Sequence, residues 1–300
     1  MTTPIAVSPE LSSAIAYRNA KVDGLNIFYR EAGPTNAPTV ALLHGFPSSS
    51  HMFRNLIPAL AEKYHVIAPD YPGYGYSDAP SAESFKYTFD HLADIVDHFL
   101  EQKGITKYSI YIQDYGSPVG FRLATRHPER IQAIITQNGN AYEEGLSPFW
   151  DEVMYPFWKD RNPETEAKAA ALVSLESTKY QYFEGARNPE NISPDAWKHD
   201  QAGLDRPGNG AIQLALAYDY RTNPPLYPAW HKFLRDHQPP VLAVWGKNDP
   251  IFPPPGAEAF RCDVPDTEIH LLDTGHFALE EDGAKIAALI LDFLGRKLAA

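Results

Sequence analysis

Five short apolar runs constrain this chain more than any other feature. They are "TVALLHGF" from position 39, "YHVIAPD" from 64, "YSIYIQD" from 108, "IQAIITQNG" from 131 and "PPVLAVWGKND" from 239. Each is too short for a core helix and reads as a strand, the first two as strands covered on both faces, while in the third Ser109, Tyr111 and Gln113 alternate with Ile110 and Ile112. Between them lie helical patterns. "DHLADIVDHFLEQKG" puts Leu92, Ile95, Val96, Phe99 and Leu100 on one face and closes at Gly104. "HMFRNLIPALAEK", "VGFRLATRHPER" and "EDGAKIAALILDFLGRKL" have similar spacing. Strands that alternate with helices predict an α/β fold, a mostly parallel sheet with helices on both faces. "AYRNAKV" and "LNIFYREA" add an antiparallel pair joined at Asp23-Gly24, and "TEIHLLDTG" adds a late strand, for eight strand-like runs in all.

The alternation breaks between residues 140 and 235. That stretch holds no convincing buried strand, but four of the five tryptophans (Trp150, Trp158, Trp197 and Trp230) and many prolines. "TEAKAAALVSLEST" and "AIQLALAYDY" look helical. The expected organisation is a core domain from residues 1–139 and 236–300, with 140–235 as a helical cap on the sheet's C-terminal edge. Open α/β sheets bind ligands at that edge.

Composition narrows the function classes. A net charge of −12, with no block of basic residues, argues against nucleic acid and anionic membrane as partners. A single cysteine, Cys262, cannot form an intramolecular disulfide or a cysteine-rich zinc site, and the eleven histidines lack ligand-pair spacing. No cofactor or metal is expected. The N-terminus has no basic start and no apolar run of signal-peptide length, and "IAALILDFL" is far too short to cross a bilayer. A cytoplasmic location is the default expectation; a leaderless export route stays open, and oligomeric state is not readable.

Four stretches fall at strand ends: "HGFP" (His44 to Pro47), "QDYG" with Asp114, "GKNDP" with Asp249 and "DTGHF" with His276. Each has an ordinary structural reading. Asp114 suits a helix N-cap, Asp249 a turn before Pro250, and His276 a surface loop. Ser117 reads as a helix-capping residue rather than a nucleophile. Their order along the chain is nucleophile, acid, histidine, that of the triad in α/β-hydrolases.

With "PDYPGYGYSD" at 69 to 78, similar to a D-x-P-G-x-G-x-S loop, the chain resembles the epoxide hydrolase and haloalkane dehalogenase branch of the α/β-hydrolases. The likeness runs from about residue 15 to residue 297. It departs at Ile112, where the strand-to-helix elbow usually carries a small residue. The resemblance implies an Asp114 nucleophile that forms an alkyl ester, a His276 base and Asp249 as its acid. Asn138, at the other location for a supporting carboxylate, is an amide, which favours Asp249. The resemblance also implies an oxyanion hole from the Phe46 and Tyr115 N–H groups. A carboxylate displaces at saturated carbon where a serine would acylate. For epoxides, two cap phenols would protonate the ring oxygen. "YDYRTN" maps one to Tyr220, and "KYQYFEG" maps the other to Tyr182, with Tyr180 beside it; packing tyrosines are the alternative. For halides, the expected indole and amide donors are replaced by Tyr115 and Phe46. Epoxide opening is therefore the leading expectation, dehalogenation the second and a non-catalytic ligand receptor the third. The aromatic cap suggests a small hydrophobic substrate, with water as co-substrate.

Overall fold

The computed structural model describes residues 14–298. Most of the N-terminal stretch on which the leader-peptide reading rests, residues 1–13, lies outside them. Eight strands form one sheet: β1 (Ala16–Val22), β2 (Leu25–Ala32), β3 (Thr39–Leu43), β4 (His65–Pro69), β5 (Tyr108–Gln113), β6 (Ile131–Gln137), β7 (Val241–Gly246) and β8 (Glu268–Leu272). Their order across the sheet is β1-β2-β4-β3-β5-β6-β7-β8. β2 runs antiparallel to both of its neighbours, and every other pairing is parallel. The β1–β2 turn falls at Asp23-Gly24, both at positive φ (48° and 84°), as a two-residue hairpin turn of this type requires.

The helices are α1 (Leu56–Leu60), α2 (Phe89–Gln102), α3 (Gly116–Arg126), α4 (Tyr155–Lys159), α5 (Pro163–Ala170), α6 (Leu175–Phe183), α7 (Pro194–Leu204), α8 (Asn209–Asp219), α9 (Tyr227–His237), α10 (Pro255–Asp263) and α11 (Ala278–Lys297). Alternate residues of each central strand feed two separate cores. Leu43, Ile110, Ile112 and Trp245 join α2, α3, α9 and α10 on one face. Val40, Leu42, Tyr111 and Val244 join α1 and α11 on the other. Every residue of β3, β4, β5 and β7 is buried, including the Ser109, Tyr111 and Gln113 face of β5, and β3, β4 and β7 accordingly read as near-continuous apolar runs. Burying such a Val, Leu or Ile side chain contributes roughly 1.5–3 kcal/mol each.

The segment between β6 and β7 is helical, as its composition predicts. Its last helix is a correction to the expected boundary. Most of α9 lies in the stretch expected to be cap, yet α9 packs on α3 and α10 of the core. The Trp230 ring stacks on Phe121 with centroids 5.1 Å apart. Trp230 is one of the four tryptophans that made the stretch look uniform, but it is buried in the core face. No helix among the described residues is long and apolar enough to cross a membrane.

Candidate active site

Because β3 and β5 to β8 run parallel, their C-terminal ends share one edge, and the four strand-end stretches meet there. β5 ends at Gln113 and turns at once into α3. The turn residue, Asp114, sits at φ 46°, a left-handed conformation uncommon for a residue with a Cβ. This sharp turn thrusts its side chain away from the helix. The N-cap reading of Asp114 does not describe what its carboxylate does, for Oδ1 accepts the Phe46 N–H at 2.6 Å. Ile112, bulky for an elbow, is accommodated from across the turn. A Cβ on Gly120 would lie 2.5 Å from Ile112 Cγ2, so glycine at 120 makes the room. Gly45 is constrained in the same way: a Cβ there would stand 2.3 Å from Asp114 Cβ.

His276 follows β8 and is fully buried. Its Nδ1 is 2.8 Å from Asp249 Oδ2. Asp249 Oδ1 accepts the Ile251 N–H at 2.8 Å, so this residue both forms the expected turn and holds the imidazole. Asn138 also reaches the acid, its Nδ2 donating to Asp249 Oδ2 at 2.7 Å. The amide is itself fixed by the Gly246 N–H, which donates to its Oδ1 at 2.9 Å. Sequence reasoning noted Asn138 only for what it is not; its positive φ of 48° after a strand is a feature Asn tolerates well.

The electrostatics follow from burial. Desolvation pushes the Asp114 carboxyl up to about 6, against the His276 charge and the N–H groups of Phe46 and Tyr115, which hold it down. Burial lowers His276, but the Asp249 charge, its hydrogen bond and the Asp114 charge outweigh it, and the imidazole ends above its ordinary value. His44 plays a different part. Burial pushes it down to about 3. Its Nε2 accepts the Tyr71 N–H at 3.2 Å, tying the end of β3 to the "DYPGYG" loop. Asp70 of that loop accepts the N–H groups of Ser50 (2.7 Å) and Tyr76 (2.8 Å). Ser117 is no helix cap, because its hydroxyl donates to the Asn140 carbonyl at 2.8 Å.

A cavity of about 610 Å³ opens above Asp114, lined by Phe46, Tyr115, Trp150, Tyr180 and Ile251 among others. Tyr220 stands beside it, buried at the end of α8, with its ring centroid 5.8 Å from that of Tyr115. Burial, then Tyr227 and Asp114, hold its phenol well above its ordinary value. Tyr182 is a correction. Its ring stacks on Phe277 at 4.0 Å and its hydroxyl donates to Asp200 Oδ2 at 2.6 Å. Asp200 also faces Ser48 Oγ at 3.3 Å and borders a separate cavity of about 260 Å³. The phenol expected at the reaction site is thus committed elsewhere, and its neighbour Tyr180 lines the cavity instead. Both cap indoles packed against Tyr220 are also committed. Trp150 Nε1 donates to the Ile251 carbonyl (3.2 Å) and Trp158 Nε1 to the Ala217 carbonyl (2.8 Å). Among the described residues, no cluster of three His, Cys, Asp or Glu side chains is arranged to hold a metal ion.

Comparison with known proteins agrees with the architecture. The family model of the alpha/beta hydrolase fold matches residues 38–283. The chain belongs to that family. It is 48% identical over 273 residues to the uncharacterized hydrolase YNR064C of Saccharomyces cerevisiae, covering 90% of this chain and 93% of the relative. It is 25% identical over 285 residues to a haloalkane dehalogenase of Psychrobacter cryohalolentis, covering 90% and 88%. The crystal structure of Cfl2 from Burkholderia cenocepacia superposes with a TM-score of 0.76 at 24% identity, covering 95% and 97%, a likeness of fold alone.

Proposed function

We propose that this hydrolase opens epoxides to diols through an ester on Asp114. In this reading Asp114 Oδ1 stays on the Phe46 N–H, the Tyr115 N–H also serves the carboxylate, and Oδ2 attacks a ring carbon. The carbon–oxygen bond breaks and the ring oxygen takes a proton from a phenol, Tyr220 being the cap candidate because its phenol feels the Asp114 charge. Tyr115 replaces Tyr182 as the second donor. His276 Nε2 then takes a proton from water, and the hydroxide attacks the ester carbonyl carbon, which is Asp114 Cγ. The oxyanion forms on Oδ1, where the two N–H groups meet it. The intermediate collapses, the departing alkoxide takes the proton from His276 Nε2 to complete the diol, the proton left on the new Asp114 carboxyl returns to the phenolate, and Asp249 holds the imidazole throughout.

The observation that carries this choice is the assignment of donors around the cavity. A departing halide needs N–H groups aimed at it, but the indoles of Trp150 and Trp158 are spent on backbone carbonyls. The phenols of Tyr115 and Tyr220 feel the Asp114 charge instead, Tyr220 bonding to another phenol, Tyr227, rather than to a backbone carbonyl, and a phenol can supply the proton that an epoxide oxygen needs. The predominantly apolar lining suits a small hydrophobic substrate. The dehalogenase reading draws on several relatives of that name, the Psychrobacter cryohalolentis protein among them. One experiment separates the two. His276→Gln protein is incubated with aryl epoxides and with 1-bromoalkanes, and the Asp114 peptide is weighed. A stable gain equal to the whole epoxide is expected. Alkylation of Asp114 by bromoalkanes alone would promote the dehalogenase reading, and no adduct with either class would sink both.

A further inference from the structure

Gln113 precedes Asp114, and in an extended strand two successive side chains would point to opposite faces. The left-handed turn at Asp114 cancels that alternation, and both side chains reach the same space. Gln113 is fully buried, and its Nε2 lies 2.9 Å from His276 Nε2. Gln113 Oε1 and Asp114 Oδ1 crowd a common point beside Gly45, 2.6 and 2.5 Å from where a Cβ would stand. The amide therefore spans the gap between the carboxylate and the imidazole. With Asp249 at Nδ1, a neutral His276 carries its proton there and presents a lone pair at Nε2. Only a donor can sit 2.9 Å from that lone pair, so the Gln113 amide nitrogen donates to it. Gln113 Oε1, at the other end of the amide, is buried without a hydrogen-bond partner among the protein's own groups. A buried carbonyl oxygen without a donor is uncommon and calls for an explanation.

We infer that Gln113 is a positioning residue for the water-dependent half of the reaction, an inference that rests on the ester mechanism proposed above. In the resting protein the Gln113 amide nitrogen caps the base and keeps His276 from pairing directly with Asp114. When the ester has formed, water displaces that amide nitrogen. One water proton goes to His276 Nε2, the other is held by Gln113 Oε1, and the water oxygen bonds to Asp114 Cγ. The oxygen that no protein group serves thereby gains a donor at the step that uses it. After proton transfer, a half-turn of the amide lets Oε1 accept the new Nε2–H, so one side chain serves both charge states of the imidazole.

The test has two arms. In the first, His276 is titrated by ¹⁵N-histidine NMR in the unmodified protein and in Gln113→Glu. A carboxylate facing Nε2 favours the imidazolium, so the midpoint should rise by at least about one pH unit. An unchanged midpoint would overturn the proposal, because residue 113 would not face Nε2 in solution. In the second arm, rapid quenching follows both half-reactions in Gln113→Ala. Ester hydrolysis should slow about tenfold or more, while ester formation changes by less than about twofold. Equal slowing of both steps, or of neither, would also overturn it. If Gln113→Glu fails to fold, the Ala arm decides. If no ester forms even in the unmodified protein, the mechanism itself falls, and the NMR arm alone judges the contact.

Discussion

The strand-end site and the cap present their functional groups by different means. Asp114, Asp249 and His276 leave the sheet at the C-terminal ends of the parallel strands β5, β7 and β8, where the backbone itself fixes the direction of each side chain. Tyr182 and Tyr220 sit on or beside cap helices, where direction depends on how each helix is rotated about its axis. Along α6, Tyr180 and Gln181 line the cavity above Asp114, whereas Tyr182 turns to Phe277 and Asp200. Residues two apart on a helix point about 200° away from each other. A tyrosine pattern that allows either Tyr180 or Tyr182 therefore names opposite sides of one helix. Strand-end geometry is set by topology, and cap geometry is set by packing.

The sharpest break in this contrast lies at the strand end. Asp114→Asn should lower turnover by at least about 10⁴-fold, since an amide cannot form the ester. The fold should survive, because the two side chains are close in shape and Asn tolerates the left-handed turn. Steady-state rates on freshly purified protein, with mass spectrometry to exclude deamidation, check this. Retained activity would remove Asp114 from the chemistry.

On the cap side, Tyr220→Phe should slow ester formation by about ten- to a thousandfold, or roughly 1.4 to 4 kcal/mol of barrier, and spare ester hydrolysis. Single-turnover quenching with an aryl epoxide separates the two steps. An unchanged first step would make Tyr220 a packing residue among Phe89, Tyr115, Trp150 and Trp158, with which its ring is in contact.

A smaller effect distinguishes the two charges within the strand-end site. Ester formation needs Asp114 ionised, and burial holds its carboxyl at about 6. Its rate should therefore fall as pH drops through 6, by about tenfold between pH 7 and pH 5. Ester hydrolysis needs neutral His276, which lies above its ordinary value because of Asp249 and Asp114 despite burial. That step should rise with pH through a midpoint above the ordinary histidine range. Esterification removes the Asp114 charge, so the midpoint in the intermediate should lie below that of the free protein. Two half-reactions with identical pH profiles would contradict the division of roles.

What could be read from the sequence follows the same line. The sheet, its insertion and the three strand-end residues were legible because apolar runs, turn residues and chain order are local signals. The α9 boundary was not, since a tryptophan buried in the core face, Trp230, looks the same in sequence as one that lines the cap, Trp150. Asp200 gave no signal at all. An acid in "PDAWKHD" is ordinary until folding buries it against Tyr182 and Ser48. Gln113 stood in plain view within the β5 pattern, but alternation alone sends it away from Asp114. Only the positive φ at Asp114 brings the two together.

The smallest catalytic effect should come from Tyr182→Phe, and its stability signature makes the comparison decisive. The Tyr182 hydroxyl faces Asp200 rather than the cavity, so both half-reactions should stay within about twofold. A tenfold loss in ester formation would mean that α6 rotates in the working protein and that the cap's resting geometry misleads. Stability should respond in a pH-dependent way. Burial raises the Asp200 carboxyl to about 7, while the hydroxyls of Tyr182 and Ser48 pull it down. An acid whose folded-state pKa lies above its unfolded value binds more protons when folded, so stability falls as pH rises through that window. Removing one of its two hydroxyl donors raises the folded value further and leaves the ionised carboxylate less satisfied. The variant should therefore lose about 1–3 kcal/mol at pH 8. It should lose less at pH 5, where Asp200 is protonated in the folded state of both proteins and its charge no longer needs the donor. Urea denaturation at the two pH values measures the difference. A loss that is equal at pH 5 and pH 8 would show that the charge on Asp200 has no part in holding Tyr182 away from the site.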